Sequence, residues 1–325
     1  MVEIIHTPRG QEHPYEQLPE ERFPREPLAG ETFEVGIVTR PPGQVRAVRV
    51  LTRQDGVAGP IVAAYRIADW QPRREAGVGA EFLERMVAIE QDVWRAQLTA
   101  PACGHTLTYW IEADGYTTPE YVLRGEAWQA SPYTLSLVEA QAGQWTMSLQ
   151  RGQGERLPML PTPLPAIQTV EWLTDGARAR RVRLAFACAS EEAFFGLGER
   201  FNALNQRGEI LDVRCYEQYK NQGKRTYLPI PFLLSSEGYG VYVASARWMQ
   251  FDLAASQPDR WVLEADLGPD ETLSLIWFAD DSPLEIIGQF ARLTGPVVLP
   301  PLWAFGLWMS GNEWNSQARV QHEVE

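Results

Sequence analysis

Long apolar runs, basic clusters and cysteine frameworks are all missing from this sequence, and each absence removes a class of function. No stretch reaches the ~18 consecutive apolar residues of a membrane-spanning helix, and the N-terminus, MVEIIHTPRGQEHPYEQ, has neither the basic start nor the apolar core of a secretory leader. A cytoplasmic location is therefore expected. Only three cysteines occur, Cys103, Cys188 and Cys215, odd in number and widely spaced. That is neither a disulfide framework nor a zinc pattern, so reduced thiols are expected. The four histidines, His6, His13, His105 and His322, are scattered, which argues against a metal site built on imidazole. No P-loop, dinucleotide fingerprint or nucleophile elbow appears, and no cofactor is expected. Basic residues are in deficit, 29 Lys and Arg against 42 Asp and Glu for a net charge of -13, which excludes a nucleic-acid or anionic-membrane partner that would need clustered cations. A neutral ligand fits this balance better.

Aromatic and turn-forming residues, by contrast, are abundant. With 325 residues, 45% of them hydrophobic, the chain can form two or slightly more domains of about 150 residues. The 12 Trp suit either sandwich cores or platforms for sugar rings. Residues 1–30 are rich in Pro and Glu and read as an extended lead-in without strand or helix period. From Glu31 the pattern turns to strands: Phe33, Val35 and Ile37 alternate, and Val48 and Val50 share a face after the turn at Pro41 to Gly43. RMVAIE, DVWRAQLTA, TLTYWIEADG and PEYVLRGEAW continue the style. Residues 31–128 are thus expected to form an antiparallel sandwich, which resembles the immunoglobulin-like modules preceding catalytic domains in amylase-type enzymes. Trp110 and Tyr116 are the aromatics through which it could bind glycans; a packing or spacing role is the alternative.

Residues 129–281 read as a second, larger sandwich. TLSLVEA, GQWTMSLQ and QTVEWLT are strands, interrupted by LPMLPTPLPA, which suits a surface connection because proline cannot donate to a ladder. Val182, Leu184 and Phe186 alternate into FFGLGERF, a tight element in which Gly196 and Gly198 would supply positive φ or close backbone approach. A hairpin follows with its turn at Glu237-Gly238, then QFDLAA, RWVLEADLG and ETLSLIWFAD. The period then changes. Ser282, Pro283 and Glu285 form a capping-box arrangement, with Leu284, Ile287, Phe290 and Leu293 at helical spacing and Gly295 as terminator. Leu299 to Met309 is a near-continuous apolar run that suits a strand buried on both faces, and Asn315 or Ser316 would cap a further helix.

Three of these stretches, Phe194 to Phe201, Gly238 to Val241 after Leu-Leu-Ser-Ser, and Pro300 to Trp308, resemble in order and spacing the N-terminal region of glycoside hydrolase family 31, the α-glucosidase and α-xylosidase family. The resemblance spans about residues 130–325. It implies a mostly β chain: an immunoglobulin-like sandwich, a galactose-mutarotase-like sandwich, then, over residues 282–325, a linker helix and the first β/α unit of a truncated (β/α)8 barrel. A complete barrel takes about 250 residues, so the chain is expected to be cut off at the entrance to its catalytic domain. Family members hydrolyse α-glycosidic bonds with retention, which needs two carboxyl groups ~5 Å apart. Both catalytic Asp belong to later barrel segments, so no catalytic residue is assigned here and the chain alone is expected to be inactive.

The carbohydrate-facing residues implied by the resemblance lie at two places. The first is the polar loop Glu209 to Tyr227, where Asp212, Arg214, Glu217, Tyr219 and Lys220, with Gln218, combine hydroxyl-binding groups and an aromatic as polyol recognition requires. A solvated loop with internal ion pairs is the alternative. The second is the segment after the expected barrel strand, with Trp308, Asn312 and Trp314 beside Glu313. Glu199 and Arg200 are better read as loop braces. A stand-alone carbohydrate-binding or regulatory β-sandwich protein without catalysis remains the other reading of the whole chain.

Overall fold

The computed structural model describes residues 2–10, 16–68, 70, 91–152, 154, 160–216, 222–295, 298–308 and 316–324. Among them the architecture is β: two five-stranded sheets formed before residue 125 and two six-stranded sheets after it, with every strand pair in them antiparallel. In the first sandwich Thr32–Arg40 runs between Asp92–Thr99 and Glu3–Ile5, while Thr106–Ala113 runs between Val48–Gln54 and Tyr121–Arg124. The alternation read from sequence becomes its core. Phe33, Val35, Ile37, Val48 and Val50 are buried together with Trp94, Tyr109 and Ile111. The RMVAIE segment lies outside the described residues.

The lead-in departs from expectation. Glu3–Ile5 and Arg22–Phe23 both add to the sheet through Thr32–Arg40, and Glu16, Gln17 and Leu18 are buried. Strands of three and two residues carry no readable period, which is why a Pro- and Glu-rich segment concealed them. His6 fastens this segment: its Nδ1–H points at the carbonyls of Gly36 (2.6 Å) and Glu20 (2.8 Å), and Nε2 accepts from the Tyr109 hydroxyl at 2.9 Å. The Pro19 carbonyl accepts from Arg95 Nη1.

The second sandwich stacks two sheets over one large aromatic core. One has the order Ala127–Gln129, Ile167–Thr174, Ala179–Ala187, Arg260–Asp266, Met249–Leu253, Ile210–Asp212. The other runs Tyr133–Gln141, Gln144–Arg151, Thr272–Ala279, Tyr239–Val243, Phe232–Ser235, Phe194–Gly196. Between them Phe186 stacks on Trp261 with ring centroids 4.2 Å apart, and Trp172 and Trp277 are fully buried. Trp128, the residue at which the first module was expected to end, pairs with Leu173 and so belongs to the second sandwich. The proline-rich connection forms no strand among its described residues, but Leu164 drops from it into the core.

The helix Pro283–Thr294 starts and stops where expected, between Ser282 and Gly295. Its details differ. Ser282 makes no side-chain cap bond, and the buried positions are Ile286 and Gln289, while Leu284, Ile287 and Leu293 are exposed. Phe290 stacks on Phe232 at 4.2 Å, which rotates the helix onto the outer face of the sheet by one residue relative to the expected stripe. The apolar run from Leu299 is not a strand. Leu302–Phe305 is a 3-10 turn, with Leu302 and Trp303 at 88% and 71% exposure. A strand buried on both faces needs a hydrogen-bonding neighbour, and none among the described residues pairs with it; Pro300 and Pro301 also lack donors. The start of a barrel is therefore not seen. Ser316 does cap the helix Gln317–Val324, its Oγ accepting from Arg319 N at 3.3 Å. Among the described residues no helix is long and apolar enough to cross a membrane, and no group of three or more His, Cys, Asp and Glu is arranged to hold a metal ion.

Burial drives the His6 pKa down from 6.5 to about 4, against the two carbonyl bonds that favour the charged ring. Below pH ~6.5 the unfolded chain takes up a proton that the folded one refuses, so His6 adds stability above that pH and the contribution is lost as pH falls toward 4. A displacement of that size corresponds to on the order of 3 kcal/mol. Urea unfolding of the wild type and His6→Gln across this range is expected to show their stability difference shrinking on acidification; a constant difference would contradict the buried neutral imidazole.

Candidate functional site

The polar loop is held by the element that precedes it. Phe194–Gly196 pairs with Phe232–Ser235, and the chain then turns through Leu197 and Gly198. Gly196 and Gly198 have φ of 98° and 97°, and a Cβ on them would fall 2.5 Å from the Phe232 carbonyl oxygen and 2.1 Å from that of Leu228. Both reasons expected for glycine thus operate at once. Glu199 N donates to Leu228 O at 3.1 Å, and Phe201 N to Gly223 O at 3.3 Å, tying the two ends of the loop together.

Arg200 completes the brace. Its Nη2 donates to the main-chain carbonyl of Asp212 at 2.8 Å and its Nη1 to that of Lys224. A planar guanidinium suits this task because its donors diverge at fixed angles. Beyond Asp212 the loop closes on itself, with Tyr216 N donating to Thr226 O at 2.9 Å and Cys215 Sγ lying 3.0 Å from Tyr227 O. Asp212 and Arg214 are half-buried at the root of this loop. The sandwich fixes where their backbone sits, so the side chains can meet a ligand without first ordering the chain. Glu217, Gln218, Tyr219 and Lys220 lie outside the described residues, as do Asn312, Glu313 and Trp314.

Trp308 is elsewhere. It is 70% exposed, its indole N–H donates to Ala304 O at 2.8 Å, and its ring lies 6.1 Å from that of Trp303. A 320 Å³ cavity beside the brace is lined by Gly196, Gly198, Arg200, Phe201 and Leu204 among others; Asp212, Arg214 and Trp308 are not in its wall. In the first sandwich Trp110 points outward beneath Arg53, whose guanidinium carbon is 5.2 Å from the ring, and Tyr116 is exposed.

One polar cluster was missed from sequence. Glu192 is 2% exposed, and its Oε1 accepts from Ser235 Oγ at 2.6 Å and from the Tyr239 hydroxyl, while Oε2 accepts from Ala189 N at 3.0 Å. Trp261 Nε1 donates to the same hydroxyl at 3.1 Å. Burial and the neighbouring carboxylate push the Tyr239 phenol well above its ordinary range. Glu192, Ser235 and Tyr239 are all buried, and the network anchors the Phe194 turn from below. The only trace of it in sequence is an acid two residues before an apolar pair.

Residues 101–252 match the glycosyl hydrolase 31 N-terminal galactose mutarotase-like domain, and residues 5–71 match the Lmo2446-like N-terminal domain. This chain carries the N-terminal region of glycoside hydrolase family 31. It is similar to other members of family 31 along nearly all of its length. It is 30% identical to the 1,3-alpha-isomaltosidase of Kribbella flavida, covering 99% of this chain and 41% of that protein. It is 27% identical to the isomaltosyltransferase of Sporosarcina globispora, covering 99% of this chain and 35% of the relative. A cycloalternan-degrading enzyme of Trueperella pyogenes, solved with cycloalternan, superposes with a TM-score of 0.74 at 27% identity, covering 99% of this chain and 43% of that one. The chain thus spans well under half the length of these relatives.

The close approach at Gly198 yields a stability prediction. Gly198→Ala should cost more than about 2 kcal/mol in denaturant melts, combining left-handed strain with a backbone clash. Gly208→Ala, also at positive φ (86°) but with open space around it, should cost about 1 kcal/mol. Equal losses would mean that the approach to Leu228 is unimportant.

Proposed function

We infer that this chain serves as the N-terminal part of a retaining α-glycosidase of family 31, supplying a carbohydrate-facing loop to a site whose Asp pair is not assigned to any residue here. The observation that carries this reading is the brace at Arg200, which holds the main chain at Asp212 and Lys224, in a chain 99% of which aligns with 41% of the 1,3-alpha-isomaltosidase. Two sequence relatives that cover 99% of this chain act, by their names, on isomaltosyl groups. An α-linked glucan is accordingly the substrate class favoured for this protein, ahead of an α-xyloside.

In this reading Asp212 and Arg214 bind sugar hydroxyls: a carboxylate accepts, a guanidinium donates, and a pair of opposite sign leaves the site suited to a neutral polyol. Glu217, Tyr219, Lys220, Trp308, Asn312 and Trp314 stay assigned to the substrate side on the family resemblance alone. The division into a first sandwich over 31–128 and a second over 129–281 belongs to the same reading, with the strand pairing of Ala127–Gln129 favouring a border at Gly125-Glu126.

Nitrophenyl α-glucoside and α-xyloside assays on the 325-residue chain should give no turnover. Calorimetry with isomaltose should give weak binding that Asp212→Ala lowers by about tenfold, the loss of one charged hydrogen bond. Turnover that survives purification, or isomaltose binding indifferent to both Asp212→Ala and Arg214→Ala, would sink the assignment.

A further inference from the structure

We propose that the outer face of the six-stranded sheet ending in Ile210–Asp212 is a second saccharide-binding site, separate from the braced loop. Strand register sets two adjacent rows across this face. Glu171, Arg183, Glu264, Gln250 and Asp212 are successive partners in one row, and Thr169, Ala185, Val262, Asp252 and Ile210 in the other. The residues between them in sequence, Leu184, Leu263, Phe251 and Leu211, all point into the core. In the second row the central pair, Ala185 and Val262, is short, while the central pair of the first row, Arg183 and Glu264, is long and stands beside it as a wall. A groove of 380 Å³ results, walled at one end by Ser256 and Gln257. That is at the low end of the roughly 300–1,000 Å³ of small-molecule sites.

The chemistry of the groove selects a neutral polyhydroxylated ligand. Its strong charges already satisfy one another: Arg183 bonds Glu264 at 2.7 Å and reaches Glu171 at 3.5 Å, and its guanidinium lies 3.9 Å from the Trp128 ring. With Asp252 and Arg260 the lining holds three carboxylates and two guanidinium groups, so an anion gains nothing there. What remains for a ligand is hydrogen-bonding capacity of both signs. The side-chain amides of Gln250 and Gln257 line the groove and make no hydrogen bond among the described residues. An apolar floor of Ala185 and Val262 beneath amide groups matches a pyranose ring, which pairs an apolar C–H face with a rim of hydroxyls.

The test uses the 325-residue chain with two probes, methyl α-D-glucopyranoside for a free sugar and a maltooligosaccharide for a chain end. Titration calorimetry is paired with tryptophan fluorescence, since Trp128 flanks the groove. Both Gln250→Ala and Ser256→Trp, the latter an exposed loop position that would obstruct the mouth, should weaken binding by about tenfold while melting temperatures hold. Arg214→Ala, on the braced loop, should leave the fluorescence-reported binding of these two probes at the groove in place. Affinity for the oligosaccharide alone marks a site for glucan chain ends, and affinity for both marks one for single residues. No binding of either probe, or binding that survives Gln250→Ala and Ser256→Trp, overturns the proposal. Binding spared by those two and lost in Arg214→Ala also overturns it and credits the loop instead.

Discussion

Everything that the polar loop can present depends on a backbone-to-backbone approach. At Gly198 the chain passes so close to the Leu228 carbonyl that a methyl group would sit 2.1 Å from it, and Glu199 N bonds the same oxygen. This contact brings the start and end of a thirty-residue excursion side by side and puts Arg200 where it can reach both Asp212 and Lys224. The excursion is then a closed loop with a fixed root. Below the contact, the Glu192 network gives the turn a foundation in the core, because a buried carboxylate held by three donors cannot shift without losing them.

The sequence was legible where a strand was long enough to show its period and one face was buried. Thr32–Arg40, Ala179–Ala187 and Thr272–Ala279 fall where alternation put them, as does the hairpin turn before Tyr239. It was illegible where tertiary partners decide. Leu284, Ile287 and Leu293 have perfect helical spacing and still face outward, since Phe290 seats on Phe232 and turns Ile286 toward the sheet. The run from Leu299 has strand-like composition, but β structure is a property of pairs, and composition cannot supply a neighbour.

The site residues show the same limit. Asp212 was found as a polar residue in a promising loop, yet its structural address is the end of a register row five strands wide. That row is invisible in sequence because its members are separated by as many as 93 positions, from Glu171 to Glu264. Glu192 was unreadable for a similar reason: its partners Ser235 and Tyr239 come from a hairpin more than forty residues on.

The joint between the sandwiches is only Gly125 and Glu126, between Tyr121–Arg124 and Ala127–Gln129. Gly125 is pressed against the carbonyls of Pro101 and Ala102, and Arg180 of the second sandwich grips both Glu126 and Glu26 at 2.7 Å. Arg124 holds Asp175 at the same distance from the other side. The placement of the first sandwich beside the second is thus set by charge as well as by chain, and added salt weakens this seam before it touches either apolar core.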